Sequence, residues 1–558
     1  MARLIRISLL LICLLIARSA FAGGSCPSGA NYLQPGSANN VLTLASLGIT
    51  QCYYIAASGS DSNSGTSEST PWLHAPGMPS CSNVCAGVTP SPGTGFIFRG
   101  GDTWHFGNSG ASPYTGGAFQ SNASGSSGAP IYWGVDTTWY SGGSWTRPIF
   151  NADNPTSTSG VSSCAYDQTK YTQTYWYGTY IIVDNFEYTG VCWNGNEANA
   201  NENRCCTNVI LVANGSPSTS NDIIENVYIH GWTHVTFSCS DSGGEPTGSC
   251  DGAIFIHGFG NTTDLVTHVV IDGSDADGKS GIGQAWGCWD TEYSVFRYLP
   301  NGAICNGMHT WHDTWIDHIS QSGDGKTHSN GVEFPIAEAS SDNYIYNNVF
   351  SNMFIHGDSG VTTWFVPASG HTDYIWNNVW YNNRGGEIAL CASSGQCAGG
   401  GGNSKWYNNT MVDSSTYGVA YPGAGTHYFT NDLTINMTYQ GNAVQSNVIV
   451  MTDGQATKAG YTSGSTYAYQ PTASNCNGQS SCPVGAGANL TNNWPYGFPT
   501  SDTDYSCTYN TSSHSVSCPA RTPIVRPATG AWDVGAFQFS GSQVQAVAAP
   551  TGLQATVQ

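Results

Sequence analysis

One stretch in the middle of the chain is dense in residues that transfer protons. Residues 306–328 read NGMHTWHDTWIDHISQSGDGKTH. A histidine beside a carboxylate can act as a general acid or base near neutral pH. A lysine can serve as the base of an elimination, which keeps a lyase open as an alternative to a hydrolase. The catalytic candidates in this stretch are His312, Asp313, Asp324, Lys326 and His328.

Two glutamates extend this set of candidates. Glu333 in the segment GVEF and Glu387 in GGEIAL each alternate with apolar neighbours. Alternation in a strand turns the apolar side chains inward and the glutamates outward. Strands two coils apart would separate the two carboxylates by about 10 Å, and a two-residue offset would widen this to about 12 Å. Inverting glycosidases need about 6.5–9.5 Å, so two solvated surface glutamates are the competing interpretation.

A third group of residues could bind a metal. The segment DGSDADGKSG, residues 272–281, contains Asp272, Asp275 and Asp277. Closely spaced carboxylates in a glycine-rich loop are typical Ca²⁺ ligands, although this loop departs from the EF-hand pattern. We therefore expect either a calcium site or an ordinary Asp/Gly turn here. The sequence has no pair of CxxC motifs, which disfavours zinc.

The composition limits the partners. The 558-residue chain has 36 acidic and 15 basic residues, a formal net charge of −21. Such a surface repels nucleic acid and anionic membranes, and it repels acidic polysaccharides unless a cation bridges them. The chain also holds 18 Trp and 30 Tyr, and neutral sugar faces stack on aromatic rings, so the composition favours neutral glycans. We therefore expect a polysaccharide or a cell-surface glycan as partner, no nucleic acid and no membrane insertion. The oligomeric state is not predicted.

The first 22 residues indicate export. Residues 1–22 place Arg3 and Arg6 before an apolar run that ends in Ala-Phe-Ala, which predicts a signal peptide cleaved after Ala22 and a secreted protein. Removal of Cys13 leaves an even number of cysteines, as expected of a disulfide-stapled exported chain. The predicted pairs are Cys26/Cys52, Cys81/Cys85, Cys239/Cys250, Cys288/Cys305, Cys391/Cys397, Cys476/Cys482 and Cys507/Cys518. Residues 541–558 form a predicted linker or tail, which leaves 23–540 as one domain with an N-terminal capping segment.

An internal repeat predicts the architecture that must position these residues. The segments YIYNNVFSN, YIWNNVWYN and KWYNNTMVD carry paired asparagines beginning at 347, 377 and 408, steps of 30 and 31 residues. A second series, which includes NGVEFPI and GEIALCA, interleaves with the first. Short strands separated by Gly- and Asn-rich turns, at this period and without a helical pattern, predict an all-β solenoid. The repeated asparagines are expected to form ladders from coil to coil.

The chain resembles a known group of secreted proteins. The entry segment YYIAASGSDSNSGTSESTPW, the following FIFRGGDTWHF and the ending WDVGAFQF are similar to those of the pectin-lyase-like superfamily. The resemblance implies a right-handed parallel β-helix over about residues 50–540. It implies little about activity, because this superfamily contains polysaccharide lyases, glycoside hydrolases, epimerases and non-enzymatic adhesins.

Two functions follow from the sequence. The first is a secreted carbohydrate-active enzyme, a glycoside hydrolase or a polysaccharide lyase, that cleaves a polysaccharide along its outer face. The low lysine content favours hydrolysis. The second is a non-catalytic adhesin, glycan-binding protein or structural β-helix protein. Calcium is the only cofactor that the sequence suggests.

Overall fold

The structure is a computed structural model of the whole chain. It describes residues 23–157, 161–166, 173–193, 207–212, 221–234, 253–258, 263–276, 285–286, 290–299, 303–304, 309–319, 332–334, 342–353, 361–383, 387–390, 401–413, 425–439, 441, 443–461, 470–495 and 497–539. The predicted signal peptide and the predicted tail lie outside these ranges, so both remain predictions.

The longest sheet, which we call sheet 1, contains 13 parallel strands, one from each successive coil. Its strands are Gln51–Ile55, Thr94–Gly100, Ile131–Tyr140, Ile181–Asp184, Ile223–Glu225, Leu265–Thr267, Asp290–Glu292, Thr310–His312, Asn343–Tyr346, Thr372–Trp376, Asn403–Tyr407, His427–Thr430 and Ala443–Ser446.

Sheet 2 contains 12 parallel strands in the same coil order. They are Thr103–His105, Ile149–Asn151, Glu187–Thr189, Tyr228–His230, Val270–Asp272, Val295–Arg297, Trp315–Asp317, Val349–Ser351, Val379–Asn383, Thr410–Asp413, Leu433–Ile435 and Ile449–Met451.

Sheet 3 consists of a four-stranded and a five-stranded block. Its strands are Phe119–Ser121, Thr174–Trp176, Thr207–Val212, Ala253–Gly258, Ala285–Trp286, Ala303–Ile304, Val332–Phe334, Val361–Phe365 and Glu387–Leu390. Three two-stranded pairs complete the strands: Ala30–Leu33 with Val41–Thr43, Cys192–Trp193 with Thr233–His234, and Thr508–Asn510 with Ser515–Ser517.

Helices are short in the part of the chain that the structure describes. The α-helices are Asn83–Ala86 and Asp453–Lys458, and the 3-10 helices are Leu44–Leu47 and Cys476–Gly478. None of these helices is long and apolar enough to cross a membrane. The expected all-β, right-handed parallel β-helix is confirmed.

Two tight turns bend most of the coils. In ten coils the first turn, between sheets 1 and 2, is two residues long, and its first residue has a left-handed backbone. These residues are Asn185, Asn226, His268, Tyr293, Asp313, Asn347, Asn377, Asn408, Asn431 and Asn447. The second turn follows sheet 2 and uses a left-handed residue at Gly190, Gly231, Tyr298, His318, Asn352, Asn382 and Asn436. Gly and Asn predominate because they adopt this conformation at the least cost.

The second asparagine of each pair forms the predicted ladder. Asn348 donates its amide to the side-chain oxygen of Asn378 at 3.0 Å, and Asn378 donates to that of Asn409 at 3.1 Å. Asn409 in turn donates to Asp432 at 2.9 Å. All four side chains are buried, where an unpaired amide would be costly. The asparagine repeat therefore holds the coils in register.

Apolar side chains fill the inside of the coils, and disulfides fasten the ends. Four of the predicted pairs are confirmed, Cys26–Cys52, Cys81–Cys85, Cys476–Cys482 and Cys507–Cys518. The structure adds Cys164–Cys192, which the sequence left unassigned. The other three predicted pairs lie outside the described residues.

Both terminal segments cover the outer face where sheets 1 and 2 meet. The N-terminal segment, residues 30–43, places the backbone N–H of Leu33 at 3.0 Å from Glu225 and that of Gly36 at 2.7 Å from Glu292. The C-terminal segment, residues 494–539, packs on sheet 2 through apolar residues that include Tyr505, Tyr509 and Phe537. Much of this outer surface is therefore closed to a polymer.

Candidate active site

The coils between residues 290 and 319 carry two clusters of ionisable side chains, one at each turn. The corner cluster lies at the first turn and contains Glu292, His312 and Asp313, with Asp504 from the C-terminal segment. The turn cluster lies at the second turn and contains Asp272, Arg297, Tyr298, Asp317 and His318. The two clusters differ in burial and hydrogen bonding, and these differences separate their roles.

In the corner cluster, carboxylates occupy both nitrogens of one imidazole. His312 Nδ1 lies 2.5 Å from Asp313 Oδ2, and its Nε2 lies 3.2 Å from Glu292 Oε2. The ring also stacks on Tyr346 at 4.6 Å. Burial works to lower the pKa of His312, but the two carboxylates outweigh it and raise the pKa to about 9. The imidazole is therefore a buried cation at neutral pH.

The terminal segments cover the corner cluster. Gly36 donates its backbone N–H to Glu292, and a ring nitrogen of the neighbouring His268 lies 3.2 Å from the carbonyl oxygen of Ala38. Burial, and then the charge of Asp313, raise the pKa of Asp504 well above its usual range. The predicted candidates His312 and Asp313 are thus adjacent, as expected, and lie beneath these segments with little exposure. Their contacts are those of a structural ion cluster.

The turn cluster is centred on a carboxylate that orients a histidine. Asp317 is fully buried, and its Oδ1 accepts hydrogen bonds from the hydroxyl of Ser351 and the side-chain amide of Asn352, both at 2.7 Å. Its Oδ2 lies 2.6 Å from His318 Nδ1. Since Asp317 accepts on both oxygens, its position is fixed by three donors. A proton on His318 Nδ1 leaves Nε2 as the basic nitrogen of the neutral ring.

His318 combines this orientation with access to solvent. Its side chain is 23% exposed, compared with 10% for His312. Its ring stacks on Tyr298 of the preceding coil at 4.5 Å. A histidine held by a buried carboxylate and reachable from outside has the arrangement of a general base.

An arginine extends the turn cluster along the helix axis. The guanidinium of Arg297 lies 4.6 Å from the ring centre of Tyr298 and 5.3 Å from that of Tyr509. Arg297 Nε is 3.4 Å from Asp272 Oδ1, and Asp272 Oδ2 accepts from the Tyr509 hydroxyl at 3.0 Å. The turn cluster therefore places a cation one coil from the histidine base.

The coils of the turn cluster also differ from later coils in the residue at the left-handed position of the second turn. His318 occupies the left-handed position that Asn352 and Asn382 hold in later coils, and Tyr298 occupies it in the coil before. Asparagine and histidine both accept this conformation, whereas a tyrosine there is unusual. Local choices that oppose the scaffold concentrate at functional sites. The first turn shows the same change at His268, Tyr293 and Asp313, where the side chains pack against the terminal segments.

Next to the turn cluster, a second histidine lies between two carboxylates. His230 Nδ1 is 2.8 Å from Asp275, and its Nε2 is 3.1 Å from Glu187. Burial works to lower the pKa of His230, and the hydrogen bonds to Asp275 and Glu187 raise it to about 9. With both nitrogens engaged, this histidine is a held cation.

Two of the three predicted calcium ligands, Asp272 and Asp275, contact donor groups of the protein. Asp272 contacts Tyr509 and Arg297, while Asp275 accepts from His230 and from the backbone N–H of Gly231. Asp277 lies outside the described residues. Within the described ranges, no three His, Cys, Asp or Glu side chains are grouped to hold a metal. Calcium at this loop remains a prediction.

The two glutamate candidates lie on sheet 3. Glu333 pairs with Trp364, which pairs with Ala389, while Glu387 pairs with Val361. Glu387 is thus two coils away and offset by two residues, which separates the two backbone positions by about 12 Å. This exceeds the spacing that an inverting pair needs. The remaining candidates, Asp324, Lys326 and His328, lie outside the described residues.

The sequence contains a signal for Asp317 and His318, which are not among the predicted catalytic candidates. Aligning WHDTWIDH with the repeat IYNNVFSN sets Asp313 against Asn347 and His318 against Asn352. A histidine in place of a repeated turn asparagine is visible without coordinates. Its meaning depends on the buried Asp317 and on exposure, which the alignment does not show.

Comparisons with known proteins describe the fold. No protein-family model matches the chain, and no curated protein matches it. The crystal structure of the GH136 lacto-N-biosidase from Eubacterium ramulus is similar with a TM-score of 0.45 and 12% identity, covering 72% of this chain and 68% of that one. The pectate lyase Pel9A gives 0.43 and 15%, covering 87% and 96%. A rhamnogalacturonan lyase gives 0.38 and 14%, covering 71% and 87%.

Proposed function

We propose that this protein is a secreted enzyme that cleaves a polysaccharide at the turn cluster, with His318 as the base. One observation carries the proposal. A partly exposed imidazole, oriented by a fully buried carboxylate, replaces the asparagine that the scaffold uses at the same turn position. A left-handed backbone accepts histidine as well as asparagine, so the turn conformation does not by itself require the exchange. The replacement therefore supports a chemical role for the ring.

The chemistry that this arrangement supports is β-elimination. Asp317 holds Nδ1–H, so Nε2 of His318 can take the proton from the sugar carbon next to a uronate carboxyl. The electron pair of that C–H bond forms the new C=C bond, and the C–O bond to the leaving sugar breaks. The glycosidic oxygen leaves with the electrons of that bond and takes up a proton. Arg297, one coil away, is buried and paired with Asp272, so its positive charge would favour the negative charge that develops on the carboxyl only from a distance.

Hydrolysis is supported less well by the residues that the structure describes. It needs two carboxyl groups about 5–9.5 Å apart that both face the sugar. Glu187 and Asp275, the partly exposed acids beside the turn cluster, are both bonded to His230. The sequence-based preference for hydrolysis thus rests on composition, whereas the turn cluster supplies a base and a cation.

Secretion belongs to the same proposal. The five disulfides fit an oxidising compartment, as expected outside the cell. Polysaccharides too large to enter a cell are cleaved in that compartment. The N-terminal residues support export through their signal-peptide pattern.

The test is a panel of acidic and neutral polysaccharides incubated with the full chain. Release of reducing ends together with absorbance of unsaturated products indicates elimination, and reducing ends alone indicate hydrolysis. The key variant is His318→Asn, which installs the residue found at the same turn in later coils. We expect a folded protein without cleavage. Cleavage at the parental rate by His318→Asn would refute the assignment.

A matched control is Asn436→His. Asn436 holds the left-handed second-turn position in a coil remote in sequence from the turn cluster. This substitution replaces a turn asparagine by histidine, the reverse of His318→Asn, and Asn436 is exposed. We expect it to leave cleavage unchanged, which separates loss of the His318 base from a general effect of altering a turn.

A further inference from the structure

A row of partly exposed side chains, three of them tyrosines, runs along the outer face of sheet 1 and begins in the coil that follows the coil of His318. Strand pairing aligns Tyr344 with Tyr374, Tyr374 with Lys405, and Lys405 with Tyr428. The residues that follow them, Ile345, Ile375, Trp406 and Phe429, are buried, so alternation turns the row outward. We call Tyr344, Tyr374, Lys405 and Tyr428 the aromatic strip.

The strip has the geometry of a stacking platform. The Tyr344 and Tyr374 rings are 5.5 Å apart and inclined by only 14°. Tyr428 is 40% exposed, which is high for a large ring in this structure. Successive strip residues lie one coil apart, about 4.8 Å. An extended polymer along the helix axis would therefore meet one strip residue after another.

The C-terminal segment forms a wall beside the strip. Phe498 lies 5.2 Å from Tyr344, and it also contacts Tyr346 and Trp376 of the adjacent outward row. That row is covered by Trp494 and Trp532. The terminal segment thus covers one row of sheet 1 and leaves the next row partly exposed. The strip tyrosines therefore line the base of a shallow ledge, and Phe498 lines its side.

The strip also carries a positive charge in an acidic protein. The Lys405 ammonium lies 5.2 Å from the ring centre of Tyr374. No carboxylate in the described part of the chain forms an ion pair with it. With 36 acidic and only 15 basic residues in the sequence, a lysine left without an acidic partner is notable. It is complementary to an acidic group on a ligand.

We propose that the aromatic strip is a second binding site for an acidic polysaccharide, separate from the turn cluster. Sugar faces would stack on the three tyrosines, and a uronate carboxylate would lie against Lys405. The strip would hold the polymer while the turn cluster cleaves it. The acidic identity of the ligand rests on the proposed function, whereas the stacking geometry does not.

Binding is tested with intact polymer. The His318→Asn protein is used so that the polysaccharide is not cleaved during the measurement. Sodium alginate and pectate serve as acidic probes and a neutral glucan as the comparison, measured by calorimetry. Tyr374→Ala and Tyr428→Ala should each weaken binding of the acidic polymers by about tenfold. Tyr140→Ala is the matched control, because Tyr140 is 39% exposed and lies elsewhere on sheet 1. It should leave affinity unchanged.

Lys405→Gln tests the charge. The substitution should weaken the binding of alginate and pectate and make that binding less dependent on salt. The affinity for the neutral glucan should stay the same. Equal affinity for all three polymers, with no effect of Lys405→Gln, would overturn the acidic assignment. Parental affinity in both tyrosine variants would overturn the strip as a whole.

The outcomes separate this inference from the proposed function. If the full chain cleaves no polymer but the tyrosine variants lose binding, the strip stands and the enzymatic proposal fails. If His318→Asn abolishes cleavage but the tyrosine variants bind normally, the strip fails alone. Cleavage of short oligosaccharides should be insensitive to the tyrosine variants, because a short chain does not span both sites.

Discussion

The corner cluster and the turn cluster are built from the same coils and from the same residue types, yet they have different environments. In the corner cluster, His312 has a carboxylate on each nitrogen and lies under both terminal segments. In the turn cluster, His318 is bonded through Nδ1 to Asp317 and remains partly exposed. The first arrangement fixes a charge in the interior, and the second leaves an oriented ring at the surface.

The comparison teaches that local motifs do not identify a catalytic histidine. His-Asp at 312–313 and Asp-His at 317–318 are both adjacent pairs with short contacts, 2.5 and 2.6 Å. In the corner cluster, two acids flank one imidazole beneath a covering segment. In the turn cluster, the buried Asp317 also accepts from Ser351 and Asn352, and the imidazole is more exposed. Four predictions test that distinction, beginning with the largest effect.

The greatest loss of activity is expected for His318→Asn. Removal of a general base typically lowers the rate by about 10²- to 10⁴-fold. Stability should stay near that of the parent, because asparagine, like histidine, accepts the left-handed turn and holds this position in later coils. Polysaccharide cleavage and thermal unfolding of the same preparation check both parts. A large loss of stability in this variant would mean that the turn cluster, like the corner cluster, is structural.

The corner cluster should respond in the opposite way. His312→Gln leaves the buried carboxylates of Glu292 and Asp313 without their cation, at a cost of about 3 kcal/mol in the free energy of unfolding. Activity per folded molecule should remain near that of the parent. Denaturant unfolding and the cleavage assay provide the readouts. Strong loss of activity in a fully folded His312→Gln protein would restore the sequence-based candidates His312 and Asp313 as the catalytic pair.

Asp317→Asn sharpens the role of the buried carboxylate as a positioning residue. The ring of His318 would keep its place in the turn but lose its charged partner, so we expect activity to fall by about tenfold, less than on losing the base itself. The cleavage assay and denaturant unfolding of the same preparation check this. Unchanged activity with reduced stability would show a purely structural role.

The smallest effect is the dependence of stability on pH. The folded-state pKa of His312, about 9, exceeds the usual value of 6.5, so its stabilising contribution is full below pH 6.5 and is lost as the pH rises through 9. Burial raises the pKa of Asp432 to about 8, which acts in the same direction. We expect the melting temperature to fall by roughly 2 °C between pH 6.5 and 9, and His312→Gln to flatten this dependence. A rise over that interval would contradict the assignment.

Much of the fold could be predicted from the sequence because the repeat is local. The asparagine pairs gave the period, and the structure shows that the first asparagine of each pair takes the left-handed turn while the second joins the ladder. Cysteines close in sequence also found their partners, as at Cys476–Cys482. Cys164–Cys192 could not be assigned, since several pairings were equally consistent with spacing.

The site could be predicted only in outline. Density of polar residues drew attention to residues 306–328, and Asp313, His312, Asp317 and His318 all lie there. The sequence predicted Glu333 and Glu387 two coils apart on one sheet, as their strands are, but strand pairing sets Glu333 level with Ala389 and not with Glu387. Alternation of residue types shows which face a side chain takes but not the offset between strands, so it left both separations open.

The sequence by itself determined the repeating coil, the inward apolar rows and the turn positions, because each depends on contacts between equivalent residues of adjacent coils. Only the tertiary structure decided which polar residues are accessible. The N- and C-terminal segments are distant in sequence, yet Asn39 bonds to the carbonyl oxygen of Cys518 at 2.9 Å as both cross the same face. Where they cross, a histidine becomes a buried cation. Where they do not, the same residue type stays at the surface and is available for chemistry.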